Sequence, residues 1–188
     1  MSEIKPEGLD LARFNAVLLH SPFFKDLTGP EYAAAASFLD CRAIPRGTVV
    51  YREGEPGGEL YICLTGVFNA SVGLSGGARR GLFTIKPGDF FGETAVISRE
   101  PHDITVTSEE ASSAAVLRFQ EFNRILSDYP FIGVKLLRNI NRVQSGRFEE
   151  SAKYMDDLIR WGDTARRPCR RKDRPGPKSR VAGFFYLR

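Results

Sequence analysis

The stretch Pro87-Gly88-Asp89-Phe90-Phe91-Gly92-Glu93-Thr94-Ala95-Val96-Ile97 reads as a strand, a tight glycine turn and one turn of helix opening at Gly92. Backbone N–H groups at a helix start have no partner inside the helix. Together with the helix dipole they make a natural phosphate site. Gly92 allows a ligand to approach the backbone closely. A carboxylate at Glu93, on the rim of such a site, is repelled by phosphate unless it faces a donor, and a ribose hydroxyl is one. The plainer reading is that Glu93 favours the helix start electrostatically.

Outward from this stretch, the chain from Cys41 is a series of short β-rich runs punctuated by glycine. Thr48–Tyr51, Leu60–Leu64, Val67–Val72, Gly81–Ile85, Ile104–Ser108 and Ser113–Phe119 read as strands. Arg46-Gly47, Glu55-Pro56-Gly57-Gly58, Thr65-Gly66, Ser75-Gly76-Gly77 and Lys86-Pro87-Gly88-Asp89 read as turns. Short strands at this spacing predict a mainly β fold, an antiparallel roll of the jelly-roll kind with flanking helices, and not a parallel sheet. Helices are predicted over Leu9–His20, Glu31–Leu39 and Gln120–Ser127. From Phe131 an apolar stripe (Ile132, Leu136, Ile140, Val143, Phe148, Ala152, Met155, Ile159) predicts a long helix. Its first half should pack on the roll. Its second half should lie beyond the body, where a narrow stripe points to pairing with a second copy, a homodimer through the C-terminal helix. The expected organisation is a helical segment over 1–40, the roll with its phosphate cassette over 41–120, C-terminal helices over 121–167 and a basic, disordered tail over 168–188.

Of 188 residues, 42% are hydrophobic and 27% charged, ordinary for a soluble globular protein. The net charge of +4 is unevenly placed. From Arg160 to Arg188 there are ten Lys and Arg against two acids, leaving 17 basic and 21 acidic side chains before them. The basic tail allows non-specific contact with nucleic acid, or is a solvated terminus. No apolar run reaches the roughly 18 residues that a membrane span needs, and the polar MSEIKPEGLD is not a secretory signal. Three cysteines without metal-ligand spacing fit a reduced, cytoplasmic compartment. Two histidines, His20 and His102, cannot make a metal cluster, and no nucleophile–base arrangement is apparent. No enzyme and no cofactor is expected.

Arg52–Gly66 and Pro87–Val106 together resemble the cyclic nucleotide-binding domain family. The resemblance runs from about His20 to Val143. It includes Ser21-Pro22-Phe23-Phe24 with Leu27, the glycine spacing of the strands, the Phe91-Gly92-Glu93 cassette and the step from Phe119 to Phe122. It implies an eight-stranded antiparallel roll flanked by helices. The ligand would be a cyclic nucleoside monophosphate, cyclic AMP or cyclic GMP, with a C-terminal helix closing over the base and relaying the signal. Carried over, Glu93 accepts the ribose 2′-hydroxyl, and backbone groups of Gly92, Thr94 and Ala95 meet the phosphate, with Phe91, His102, Asp103 and Thr105 completing the site. The departure is at His102. The family's ligand-binding members place arginine after this proline, in a Pro-Arg-x-Ala-Thr pattern, whereas this chain reads Pro101-His102-Asp103-Ile104-Thr105. Histidine near neutral pH is mostly uncharged, and Asp103 adds a negative charge. Loss of one partner of a buried charge pair costs roughly 2–5 kcal/mol. Three readings stay open: weak phosphate binding that strengthens at low pH, a different ligand, or a scaffold or dimerisation module that has lost binding.

Two further readings concern the rest of the chain. Relatives often carry a helix-turn-helix after the long helix, but the residues after Ile159 are Arg- and Pro-rich rather than apolar-periodic, so a transcription regulator lacking its DNA-binding domain is the form that reading takes. Tyr154–Arg167 resembles the linker helix preceding diguanylate cyclase domains, as in a truncated signalling protein. Gly183-Phe184-Phe185-Tyr186-Leu187 is apolar without a physical account.

Overall fold

The computed structural model describes residues 11–166. The tail from 168, its apolar terminus and the start of the first predicted helix lie outside them. Eight strands run in chain order: β1 Asp40–Ile44, β2 Val49–Tyr51, β3 Glu59–Thr65, β4 Phe68–Gly73, β5 Arg79–Ile85, β6 Phe90–Phe91, β7 Thr105–Ser108 and β8 Ser112–Arg118. Every pairing is antiparallel, in two four-stranded sheets ordered β1-β8-β3-β6 and β2-β7-β4-β5. Helices α1 Leu11–His20, α2 Gly29–Ala36, α3 Glu93–Ser98, α4 Phe119–Asp128 and α5 Pro130–Arg166 complete the described chain, with a 3₁₀ turn at Pro22–Phe24. The antiparallel roll expected from the strand spacing is the fold.

Strands β3 and β8 explain why two central runs are apolar throughout. Side chains alternate across a strand. Leu60, Ile62 and Leu64 of β3, with Ala115 and Leu117 of β8, meet the helices in one core. Tyr61 and Cys63, with Ala114 and Val116, point into the roll and meet Tyr51, Phe68, Phe91 and Val106 in a second. Both faces are dry, so no polar residue punctuates the run. Burial pushes the Cys63 thiol up to about 12, which makes it a core residue and not a reactive one. The turn between β3 and β4 requires Gly66: its φ is +82°, and a Cβ there would sit 2.1 Å from the Ser112 hydroxyl.

Some boundaries move. Helix α2 opens at Gly29, two residues before the predicted start, because Pro30 is favoured in a first turn and the Glu31 carboxylate accepts from the Thr28 N–H at 2.8 Å. It ends at Ala36, and Phe38 and Leu39 continue as a tighter turn, their amides donating to Ala35 and Ala36. Strand β1 is not among the predicted strands. Asp40-Cys41-Arg42-Ala43-Ile44 lacks β-branched residues until its last position and is ordered by pairing with β8.

Helix α5 is continuous over 37 residues and includes the described part of the Tyr154–Arg167 stretch. Ile132, Leu136 and Ile140 are buried against the helix-side core. Asn139, also buried, donates to the Phe23 carbonyl at 3.0 Å and to the Lys25 carbonyl at 2.6 Å, tying the entry segment to α5. Lys135 pairs with Glu31 of α2 at 2.6 Å. The described residues of the second half of this helix are largely exposed, with one contact back to the body at Tyr154, and the turns just before them lie against the roll. Gln144 reaches Thr94 at 3.2 Å, Arg147 pairs with Glu93, and Tyr154 hydrogen-bonds Arg80 on β5, whose guanidinium lies 5.3 Å from its ring. These polar and aromatic contacts lie off the apolar stripe, so a stripe count could not register them.

Candidate ligand site

The site begins at β6. Its two phenylalanines point to opposite sides, as neighbours on a strand do. Phe90 meets Phe23 edge-on at 5.6 Å in the helix-side core. Phe91 stacks on Tyr61 at 5.1 Å and lies 5.2 Å from Phe68 inside the roll. The chain then turns at Gly92, with φ of +79°. A Cβ there would be 2.5 Å from the Glu59 carbonyl oxygen, so the strand-to-helix turn closes against β3 only because the side chain is absent. Helix α3 follows at Glu93. Val96 is the first of its amides to be taken, by the Gly92 carbonyl at 3.2 Å. Amides before it belong to the first turn, which has no acceptor of its own in the helix.

These amides border a cavity of about 370 Å³, inside the roughly 300–1,000 Å³ range of small-molecule sites. Of the residues assigned from sequence, Phe91, Gly92, Glu93, Thr94, Ala95, His102 and Asp103 line it. Thr105 does not. It is buried, and its hydroxyl accepts from the Glu53 N–H at 3.0 Å, which secures the loop after β2. Tyr51, Phe83, Ile104, Gln144, Arg147 and Phe148 complete the lining and are absent from the set assigned from sequence. Gln144, Arg147 and Phe148 follow the i, i+3, i+4 spacing of one helical face, the signal that could have grouped them. Nothing in that spacing shows which surface the face meets.

Glu93 is only 5% exposed. Its carboxylate pairs with the Arg147 guanidinium, which also donates to the Phe90 carbonyl at 2.7 Å and lies 5.2 Å from the Phe83 ring centroid and 5.8 Å from that of Phe90. The carboxylate read as a ribose acceptor is thus already charge-paired, from α5.

His102 is half-buried between the two loops that carry it and Glu55. Its ring lies parallel to Tyr51 at 3.6 Å, while its backbone N–H donates to the Glu55 carbonyl at 2.9 Å and its backbone carbonyl accepts from the Gly54 N–H at 2.8 Å. Burial pushes its imidazole below the ordinary 6.5, outweighing the opposite pull of Glu55 and Asp103. At neutral pH it brings no positive charge. It also borders a second, more polar cavity of about 420 Å³, where Arg99 and Arg118 stand near Glu55 and Glu59. There the carboxylates are engaged: Arg42 donates to both Glu59 oxygens at 2.9 Å, and Glu55 accepts from the Arg52 N–H at 2.8 Å.

Among the described residues no group of three His, Cys, Asp or Glu stands close enough to hold a metal ion, and no helix is long and apolar enough to cross a membrane. The sequence profile of the cyclic nucleotide-binding domain matches residues 41–129, the roll with its cassette and α4.

Residues 41–129 belong to the cyclic nucleotide-binding domain family.

Relatives of this domain sit in proteins of several kinds. A cAMP-dependent protein kinase regulatory subunit of Pyricularia oryzae is 33% identical over 105 residues, covering 56% of this chain and 26% of the subunit. A CRP-like cAMP-activated global transcriptional regulator of Mycobacterium tuberculosis is 27% identical over 143 residues, covering 76% of this chain and 62% of the regulator. The chain thus spans less than two thirds of either relative. In fold, the domain is similar to the crystal structure of a cyclic nucleotide-binding domain from Methylobacillus flagellatus, with a TM-score of 0.70, 23% identity, and coverage of 78% of this chain and 83% of that one. These families are regulatory.

Proposed function

We propose that the chain is a sensor module that takes a cyclic nucleoside monophosphate, cyclic AMP or cyclic GMP, into the cavity beside Gly92 and passes the event on through α5. The observation that carries this reading is the contact of α5 with the cassette itself: Gln144 on Thr94 and Arg147 on Glu93. A ligand in the cavity lies between the α3 amides and that helix, so occupancy and the seating of α5 are linked. Both relatives described above carry cyclic AMP in their names, which supports the ligand class.

Titration with a fluorescent cyclic AMP analogue tests the reading. Because burial lowers the His102 pKa, its imidazole is mostly neutral at pH 8 and gains charge as the pH falls. Affinity should then be weakest at pH 8 and tighten as the pH is lowered and His102 gains its proton. His102→Arg, which supplies a permanent cation, should raise affinity at pH 8 by tenfold or more, about 1.4 kcal/mol. Saturable binding by neither protein, with cyclic AMP or cyclic GMP analogues, would leave the scaffold reading in its place.

The far end of α5 supports the homodimer. Phe148, Met155 and Ile159 are 75%, 58% and 60% exposed, at the seven- and four-residue steps of a helix seam. In sedimentation velocity at tens of micromolar, the full chain should run as a dimer and Met155→Glu with Ile159→Glu as a monomer. A monomeric wild-type chain would remove the dimer.

A further inference from the structure

The cavity's charge does not match the guest assigned to it. Among the described residues lining it, Glu93 and Asp103 are acidic, and Arg147 is the one Lys or Arg. His102 is neutral at pH 7, its pKa pulled down by burial. Without Arg147 the wall would carry two negative charges, and a cyclic phosphate would enter against both. With it, the Glu93 charge is paired and a guanidinium faces the same space as Thr94 and Ala95. Arginine is permanently charged, so the guanidinium, held in place by Glu93 and the Phe90 carbonyl, attracts an anion in the cavity at any ordinary pH. Its side chain is 20% exposed, and the flanking rings of Phe83 and Phe90 limit the positions it can take.

We propose that the anion-binding cation of this cavity is Arg147, carried by α5, in place of a cation at position 102. The inference rests on the sensor reading and deepens it by naming the group that holds the phosphate. Its consequence is mechanical. When the cation belongs to the roll, the anion is held whether or not the helix is seated. When it belongs to α5, the anion binds well only with the helix down, and by linkage the bound anion holds the helix down.

The test is a four-way comparison of the full chain: wild type, Arg147→Gln, His102→Arg, and the two together, each titrated with a fluorescent cyclic AMP analogue. Hydrogen exchange is followed over residues 141–156 with and without the probe. Arg147→Gln should weaken binding by about 30-fold or more, the low end expected for removing one partner of a buried charge pair. His102→Arg in that background should restore most of the affinity, because the lost charge is returned to the roll side of the cavity. Exchange separates the two cations: the probe should slow exchange over 141–156 in wild type and should not in the restored double variant. Should Arg147→Gln fail to fold, Arg147→Lys keeps the charge and loses the fork, and a clear but smaller loss of affinity supports the assignment. Wild-type affinity in a folded Arg147→Gln or Arg147→Lys protein, or tighter binding, overturns it and leaves the sensor reading intact. Binding by His102→Arg but not by wild type also overturns it, since the cavity would then be sound and Arg147 not its cation. Absence of binding in all four proteins removes the sensor reading and this inference with it.

Discussion

Phe91→Ala is expected to lower unfolding stability by roughly 3–5 kcal/mol, the usual range for removing a buried aromatic ring. Phe91 is 1% exposed and lies among Tyr51, Tyr61 and Phe68, with ring centroids 5.1–6.1 Å away. Those neighbours are anchored on β2, β3 and β4, so they cannot close over the gap. The loss combines apolar transfer with an unfilled cavity, and it falls where the inner core meets the ligand space. Urea denaturation measures it as a lower midpoint at unchanged slope. Phe131→Ala is the comparison: Phe131 is 83% exposed, and its removal should stay within about 0.5 kcal/mol of wild type. Similar losses at the two positions would mean that the inner core is not built around Phe91.

Gly92→Ala should cost roughly 3 kcal/mol or more, the sum of a left-handed backbone and a collision. The residue has φ of +79°, and the added Cβ would sit 2.5 Å from the Glu59 carbonyl oxygen, a backbone atom that cannot step aside without moving β3. Gly88→Ala isolates the first effect. Its φ is +94° and nothing lies within 4 Å of the place an added methyl would take, so it should lose only the conformational part, about 1–2 kcal/mol. The difference between the two midpoints reports the approach of the cassette turn to β3. Equal losses would show that strain alone matters at Gly92 and that the turn tolerates a side chain. Any affinity lost by Gly92→Ala beyond its stability loss would place the turn's backbone at the ligand.

Much of this molecule is legible along the chain because its causes are local. Glycines at 66, 88 and 92 adopt positive φ at turns where the sequence placed them. Runs such as Leu60–Leu64 mark strands buried on both faces. The cassette is legible for the same reason: Phe90, Phe91, Gly92 and Glu93 are consecutive, and strand, turn and helix start are short-range events. Strand β1 is harder, since Asp40–Ile44 carries little intrinsic preference and depends on a partner about 70 residues away. Thr105 shows the other limit. Its place in a motif put it in the site, whereas its hydroxyl serves the Glu53 amide.

From the order of its residues alone, the chain determines an antiparallel roll, a glycine turn opening a helix beside Glu93, and a histidine at position 102. Tertiary structure decided which charge faces Glu93. Arg147 and Glu93 are 54 residues apart and meet only because Ile132, Leu136 and Ile140 seat the start of α5 in the core, which directs the later turns of that rigid helix across the cavity. The partner of a buried charge is set by where two packed elements cross, and that crossing depends on the summed shape of both surfaces rather than on any local run of sequence.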